Sequence, residues 1–210
     1  MKRTITVTGT ASATAVPDLV TLTLGVETRR DSAAAAYDDA GRAAAAVGDS
    51  LRAAGIRDAD LRTSGLNLRA DLVWVEGQGQ KVTAYVASTT LQVGIRSHAE
   101  APAAIAAAVA AGGNDIRING VEQGFADAAE VEARAREAAW KDARRRAEQY
   151  AALASATLGR VVAISQQPSH AAPVPMGGMV RAYAAEALPL EAGETSVTAG
   201  VVVEWELLDG

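Results

Sequence analysis

Two short segments of this chain each occur twice. Thr21-Leu22-Thr23-Leu24-Gly25-Val26 returns as Thr90-Leu91-Gln92-Val93-Gly94-Ile95, and Asp60-Leu61-Arg62-Thr63-Ser64-Gly65-Leu66 returns as Asp115-Ile116-Arg117-Ile118-Asn119-Gly120-Val121. Each pair of segments brackets an alanine-rich stretch of helical character. A strand-helix-strand unit in tandem predicts a β-α-β-β-α-β core over residues 19–125, in which two helices cover one face of an antiparallel sheet. The fold class is therefore α+β, with an N-terminal hairpin strand, a long third helix and C-terminal strands added to the core.

Local patterns place these elements. Residues 4 to 14 alternate β-branched and small side chains, Pro17-Asp18 marks a turn, and Val20, Leu22, Leu24 and Val26 alternate again. The spacing predicts a hairpin. From Asp31 the period becomes helical, through Ala33, Ala36, Tyr37, Ala40, Ala44, Val47, Leu51 and Ala54, with Asp31 or Ser32 placed to cap and Gly55 to terminate. Leu61 to Val75 and Val82 to Ile95 read as strands joined by the polar connection Glu76-Gly77-Gln78-Gly79-Gln80. A second helix is expected over about 99–111, where Pro102 falls in the first turn and Gly112-Gly113 follows. Ile116 to Phe125 completes the second unit.

The longest helix is expected to open at Asp127, with Glu130 as its capping-box partner. Val131, Ala135, Ala138, Ala139, Ala143, Ala147, Tyr150, Ala151 and Ala154 make its core stripe, and Glu130-Arg134, Glu132-Arg136, Glu137-Lys141 and Asp142-Arg146 are opposite charges four apart. Val161 to Gln167 and Thr195 to Leu208 read as strands around a Pro- and Gly-bearing insertion at 168–193. The whole chain, 1–210, is expected to form a single domain.

Composition excludes several functions. The chain is 210 residues long and 49% hydrophobic, enough for a packed globule, with Phe125 the one phenylalanine. Its net charge of -5 argues against general affinity for nucleic acid or anionic lipid. Having no cysteine, it cannot form disulfides, thiolate metal sites or thiol nucleophiles. Lys2 and Arg3 resemble the start of a signal peptide, but alternation follows in place of an apolar run, so no export signal is expected within this chain. No run of about 18 apolar residues is present to span a membrane.

Catalytic patterns are likewise missing. His98 and His170 have no second histidine or carboxylate at metal-ligand spacing, so surface or capping roles are expected and a zinc site is not. No G-x-S-x-G occurs, no glycine-rich loop precedes a lysine, and Gly77-Gln78-Gly79 reads as a hairpin tip. Asp18 and Asp60 could serve as an acid-base pair, but their positions at a turn and before a strand favour bonding to nearby backbone amides. Arg144-Arg145-Arg146 reads as a solvated face with Asp142 and Glu148 close by. The candidate interface comprises Trp74, near the tip of the long hairpin, with Met176, Met179, Val180, Tyr183 and Leu188 of the insertion.

The order and spacing of many small features resemble the SIMPL domain family, formerly a domain of unknown function. They are Ile5-Thr6-Val7-Thr8-Gly9, Pro17-Asp18, Gly55-Ile56, Asp60-Leu61-Arg62-Thr63, Tyr85-Val86-Ala87-Ser88 and Asn114-Asp115-Ile116. Ala133-Arg134 with Ala138, Asp142-Ala143-Arg144 and Ala147 continue the series, which ends with Leu158-Gly159 and Val201-Val202-Val203-Glu204-Trp205. The resemblance implies an α+β domain of the bacterial periplasm or envelope, assembled in some members into larger oligomers and linked to stress tolerance. It implies no catalytic residues. The expectation is a non-enzymatic protein, without cofactor or metal, acting through homo-oligomers or partner binding. The alternative is a small-molecule-binding protein with a pocket between the sheet and the 168–193 loop. A hydrolase would need a buried carboxylate pair with shifted pKa values.

Overall fold

The computed structural model describes residues 3–167 and 190–209. In chain order its elements are β1 (Thr4–Ala15), β2 (Leu19–Arg30), α1 (Ala33–Ala53), β3 (Leu61–Val75), β4 (Gly79–Ile95), α2 (Ala101–Gly112), β5 (Ile116–Gly124), α3 (Ala129–Leu153), β6 (Ala156–Gln167) and β7 (Thr195–Asp209). The fold is α+β with two antiparallel sheets, ordered β3-β4-β2-β5 and β1-β7-β6. The chain divides into two compact units: residues 18–126 with 190–192, and residues 3–17, 127–167 and 193–209.

In the first unit the duplication is legible in the strand register. Its elements run β2-α1-β3-β4-α2-β5, and the two copies of the repeated strand lie side by side, with Leu22 opposite Val93 and Leu24 opposite Leu91. Thr23 and Gln92, equivalent in the repeat, face each other directly, so a pseudo-twofold passes between them. The outer strands β3 and β5 each open after a short 3-10 turn, at Asp58–Asp60 and Gly113–Asp115. Each then carries one extra residue, Ser64 in β3 and Asn119 in β5, followed by Gly65 and Gly120. The bulges therefore fall at equivalent repeat positions.

Such a bulge reverses which side chains face which way. Leu61 packs against the core under the helices, and beyond Ser64 the even-numbered Leu66 and Leu68 stand opposite Thr89 and Ala87 on that same side. Thr89 Oγ1 donates to Gly65 O at 2.8 Å, satisfying a carbonyl next to the irregularity. The core itself is Val20, Leu22, Leu24, Val26, Leu91, Val93 and Ile95 of the sheet beneath Val47 and Leu51 of α1 and Ala101, Ala104 and Ala108 of α2. Alanines on α2 let it lie close, and Ser50 Oγ of α1 donates to Ala107 O. Ser32 caps α1 by accepting from the Ala35 amide at 3.2 Å, as its residue type predicts. Tyr37, expected in the stripe, is exposed.

The second unit corrects the expected N-terminal hairpin. β1 does not pair with β2 but with β7, from Thr4 opposite Glu206 to Ala15 opposite Thr195. Pro17, which has no amide hydrogen to pair, lies between the two ladders. Across β1 and β7 lies α3, whose Val131, Ala135, Ala139, Ala143, Ala147 and Ala151 form a buried ridge of small side chains. That ridge approaches so closely that a Cβ on Gly9 would sit 2.2 Å from Ala139 O and 2.4 Å from Ala143 N. Val7, Val203 and Trp205 fill the space beside it, and the rings of Trp140 and Trp205 pack 5.9 Å apart.

Three further readings of this unit change. α3 begins at Ala129, and Asp127 accepts from the Ala129 amide without a capping-box bond from Glu130. Tyr150, placed in the core stripe by spacing, is exposed because the contact ridge follows residues four apart and leaves it to one side. β6 starts at Ala156, earlier than its apolar run suggested, and departs from regular pairing twice before Ala163.

Candidate interaction surface

The antiparallel ladder between β3 and β4 outruns the sheet that carries it. β2 pairs with β4 as far as Arg30 opposite Tyr85, whereas β3 and β4 continue to Val75 opposite Gly79. Residues 71–75 and 79–84 therefore form a two-stranded ribbon with no third strand among the described residues, closed by a tip where Gly77 and Gly79 both take φ of 76°. The tip confirms the hairpin reading of Gly77-Gln78-Gly79. Arg29 Nε donates to Asp71 Oδ2 at 2.8 Å and Thr83 Oγ1 to Asp71 O at 3.1 Å, bracing the ribbon at its root.

Apolar side chains run along this strand without cover. Trp74 is 76% exposed and Leu66 62%, with Leu68, Leu72, Val73 and Val82 also exposed. Leu66, Leu68, Leu72 and Trp74 are all even-numbered, so they line one side of β3, the side to which the Ser64 bulge turns them. A contiguous uncovered apolar stripe of this kind marks a contact surface more often than an isolated exposed leucine does. Of the expected interface residues the structure thus places Trp74 in an exposed apolar setting. Met176, Met179, Val180, Tyr183 and Leu188 lie outside the described residues, as does His170. Leu190 packs on the core of the first unit, and Gln123 Nε2 donates to Glu191 O.

Asp18, Asp60 and His98 occupy three different settings. Asp18 accepts from the Ala126 amide at 2.7 Å, the backbone role expected of it, though the amide is remote in sequence. Asp60 departs from its expected role: it takes the Arg57 Nε at 2.6 Å and the Arg96 Nη2 at 3.1 Å. Hydrogen bonds from Arg57 first, then Arg96, hold its carboxyl at about 2, well below the ordinary value of 3.8. It is a fixed anion at neutral pH. His98 is half-buried, and its Nε2 is buried with no hydrogen-bond partner among the described residues, so this nitrogen is neither solvated nor capping.

The arginine run pairs locally, as expected of a solvated face: Arg144 with Glu148, and Arg145 and Arg146 with Asp142. Two of these helix residues do something spacing does not reveal. Asp142 Oδ2 accepts from the Thr10 amide at 3.2 Å, and Arg134, expected to pair with Glu130, donates instead to Thr14 O at 3.1 Å. Helix α3 thereby satisfies edge groups of β1. In the same unit an apolar cleft of about 320 Å³ lies beside Trp140, Ile164 and Val201. No described helix is long and apolar enough to cross a membrane.

The SIMPL profile, described as a protein of unknown function (DUF541), matches residues 5–205. The chain is 32% identical over 212 residues to the 26 kDa periplasmic immunogenic protein of Brucella melitensis, covering 97% of this chain and 84% of that protein. It is 30% identical over 197 residues to the uncharacterized protein YggE of Escherichia coli K12, covering 94% of this chain and 78% of that one.

Proposed function

This chain belongs to the SIMPL (DUF541) family, and on that premise we propose that it acts without catalysis, by assembling into homo-oligomers or binding a protein partner. The observation that carries the reading is the uncovered apolar side of β3 and its ribbon, ending in Trp74. Leaving such a surface in water forgoes roughly 25 cal/mol for each square ångström that a contact would bury. The periplasmic relative extends the proposal to an envelope location, where a link to stress tolerance would act through assembly. Sedimentation velocity across a wide concentration range is the test. Concentration-dependent oligomers that weaken in Trp74→Ser are expected, and a monomer at every concentration refutes self-assembly.

The cleft beside Trp140 favours a second reading, a small-molecule site, because its volume reaches the lower range of ligand pockets. It lies beside α3, and most of the 168–193 loop, where the alternative pocket was expected, falls outside the described residues. A saturable rise in melting temperature with a metabolite, lost in Trp140→Ala, would select this reading.

A further inference from the structure

Four of the described strands end the two sheets, and three of them are blunted. β1 has its edge groups at Thr10 and Thr14 occupied by Asp142 and Arg134 of α3. β5 is nine residues long and bulged at Asn119. β6 departs from regular pairing twice and carries Arg160 in an ion pair with Glu206. β3 differs: it is 15 residues long, its own extra residue is Ser64, and its second register shift, between Asp71 and Leu72, comes from Thr83 of β4, so the alternation of β3 itself runs unbroken from Gly65 to Val75. A long regular edge with apolar side chains is a template for another strand unless something covers it.

The sequence of β3 names the strand that fits. Laid antiparallel on a second copy with Ala70 opposite Ala70, Arg69 of each copy stands opposite Asp71 of the other, so the pair forms twice. On the other side Leu66 then meets Trp74 and Leu68 meets Leu72, again twice. Neighbouring registers lose this match. Centring on Arg69 or on Asp71 sets like charges directly opposite, and centring on Leu68 or Leu72 leaves both charges facing uncharged residues. Directly opposed side chains are the pairs that stabilise or penalise a sheet register. Arg69 forms no ion pair among the described residues, while Asp71 is held in place by Arg29.

We propose that a second copy of this chain docks along the free edge of β3, antiparallel and centred on Ala70, joining two four-stranded sheets into one of eight. The proposal rests on the self-assembly reading and gives it a site and a register. A twofold perpendicular to the joined sheet keeps the helices of both copies on one side. It also brings each ribbon alongside the root of the other copy's β3, so Trp74 is covered by Leu66.

The chain has no cysteine, so a single Ala70→Cys reports the contact alone. Opposed residues in an antiparallel pair have Cα atoms about 4.5–5.5 Å apart, within disulfide reach. The experiment is mild oxidation of Ala70→Cys beside Ile164→Cys on the exposed edge strand β6, with dissociation constants from sedimentation for Arg69→Asp, Asp71→Arg and the double swap. Expected are a covalent dimer for Ala70→Cys only, dissociation constants raised about tenfold or more in each single reversal, and recovery in the double variant. The double swap also carries Arg29→Asp, so that the arginine placed at position 71 keeps an acidic neighbour within its own chain, and recovery then separates lost pairing from lost folding. If the wild type assembles while Ala70→Cys stays uncrosslinked, or Ile164→Cys crosslinks equally, or Arg69→Asp assembles normally, this interface is overturned and the assembly reading stands. A wild-type monomer at every concentration overturns both.

Discussion

Gly9→Ala is the smallest change that tests how α3 sits on its sheet. The added Cβ would lie 2.2 Å from Ala139 O, 2.4 Å from Ala143 N and 2.6 Å from Ala143 Cβ. Two of the three are helix backbone, which has no rotamer to change. Relief requires α3 and β1 to part by about 0.8 Å, to bring 2.2 Å to the 3.0 Å that real Cβ contacts keep. A gap of that size forfeits roughly a quarter to a half of each dispersion contact it opens. The buried ridge from Val131 to Ala151 shares the loss, so the cost falls at or above the top of the usual 1–3 kcal/mol for overpacking, about 3–4 kcal/mol. Urea unfolding followed by Trp140 and Trp205 fluorescence, in a Trp74→Phe background, reports this unit alone. Adding Ala143→Gly removes only the Cβ contact and costs about 1 kcal/mol of helix propensity, so no net rescue is expected. A Gly9→Ala midpoint corresponding to a loss below about 1 kcal/mol would show that α3 yields without cost and refute the reasoning.

Gly41→Ala is the opposite case: it lies inside α1 with nothing within 4 Å of the added Cβ, and a gain of about 0.5–1 kcal/mol in urea unfolding is expected. Asp60 has a folded pKa of about 2 against 3.8 ordinarily, so its contribution is present above pH 4 and lost as pH falls through 2. Asp60→Asn should be less stable at pH 5 and lose less on acidification, as urea midpoints at pH 5, 4, 3 and 2 would read; parallel pH profiles would contradict the pairing. Asp142→Ala should speed hydrogen exchange at the Thr10 amide and lower the melting temperature, with Asp142→Asn in between because it keeps an acceptor. Unchanged Thr10 protection would remove α3 from any role at that edge.

What the sequence by itself determined is the set of elements and one of the two sheets. A repeat of two strand motifs around alanine-rich stretches specifies β-α-β-β-α-β because each half exposes an apolar face that its copy can share, and Leu24 does lie opposite Leu91. Ser32 declares its cap, and Gly77 and Gly79 their turn, through purely local chemistry. Tertiary structure decided the rest. β1 reads as a strand from alternation alone, but alternation carries no address, and only the packing of α3 against Gly9 and Val203 selects β7 over β2 as its partner. Asp142 and Arg134 have helical partners in sequence and edge-strand partners in space. The apolar stripe of β3 was hidden for a related reason: a period of two cannot say which side faces the helices once Ser64 adds a residue. Side-chain pattern is local information, whereas pairing and facing are relations between segments that only the folded chain brings together.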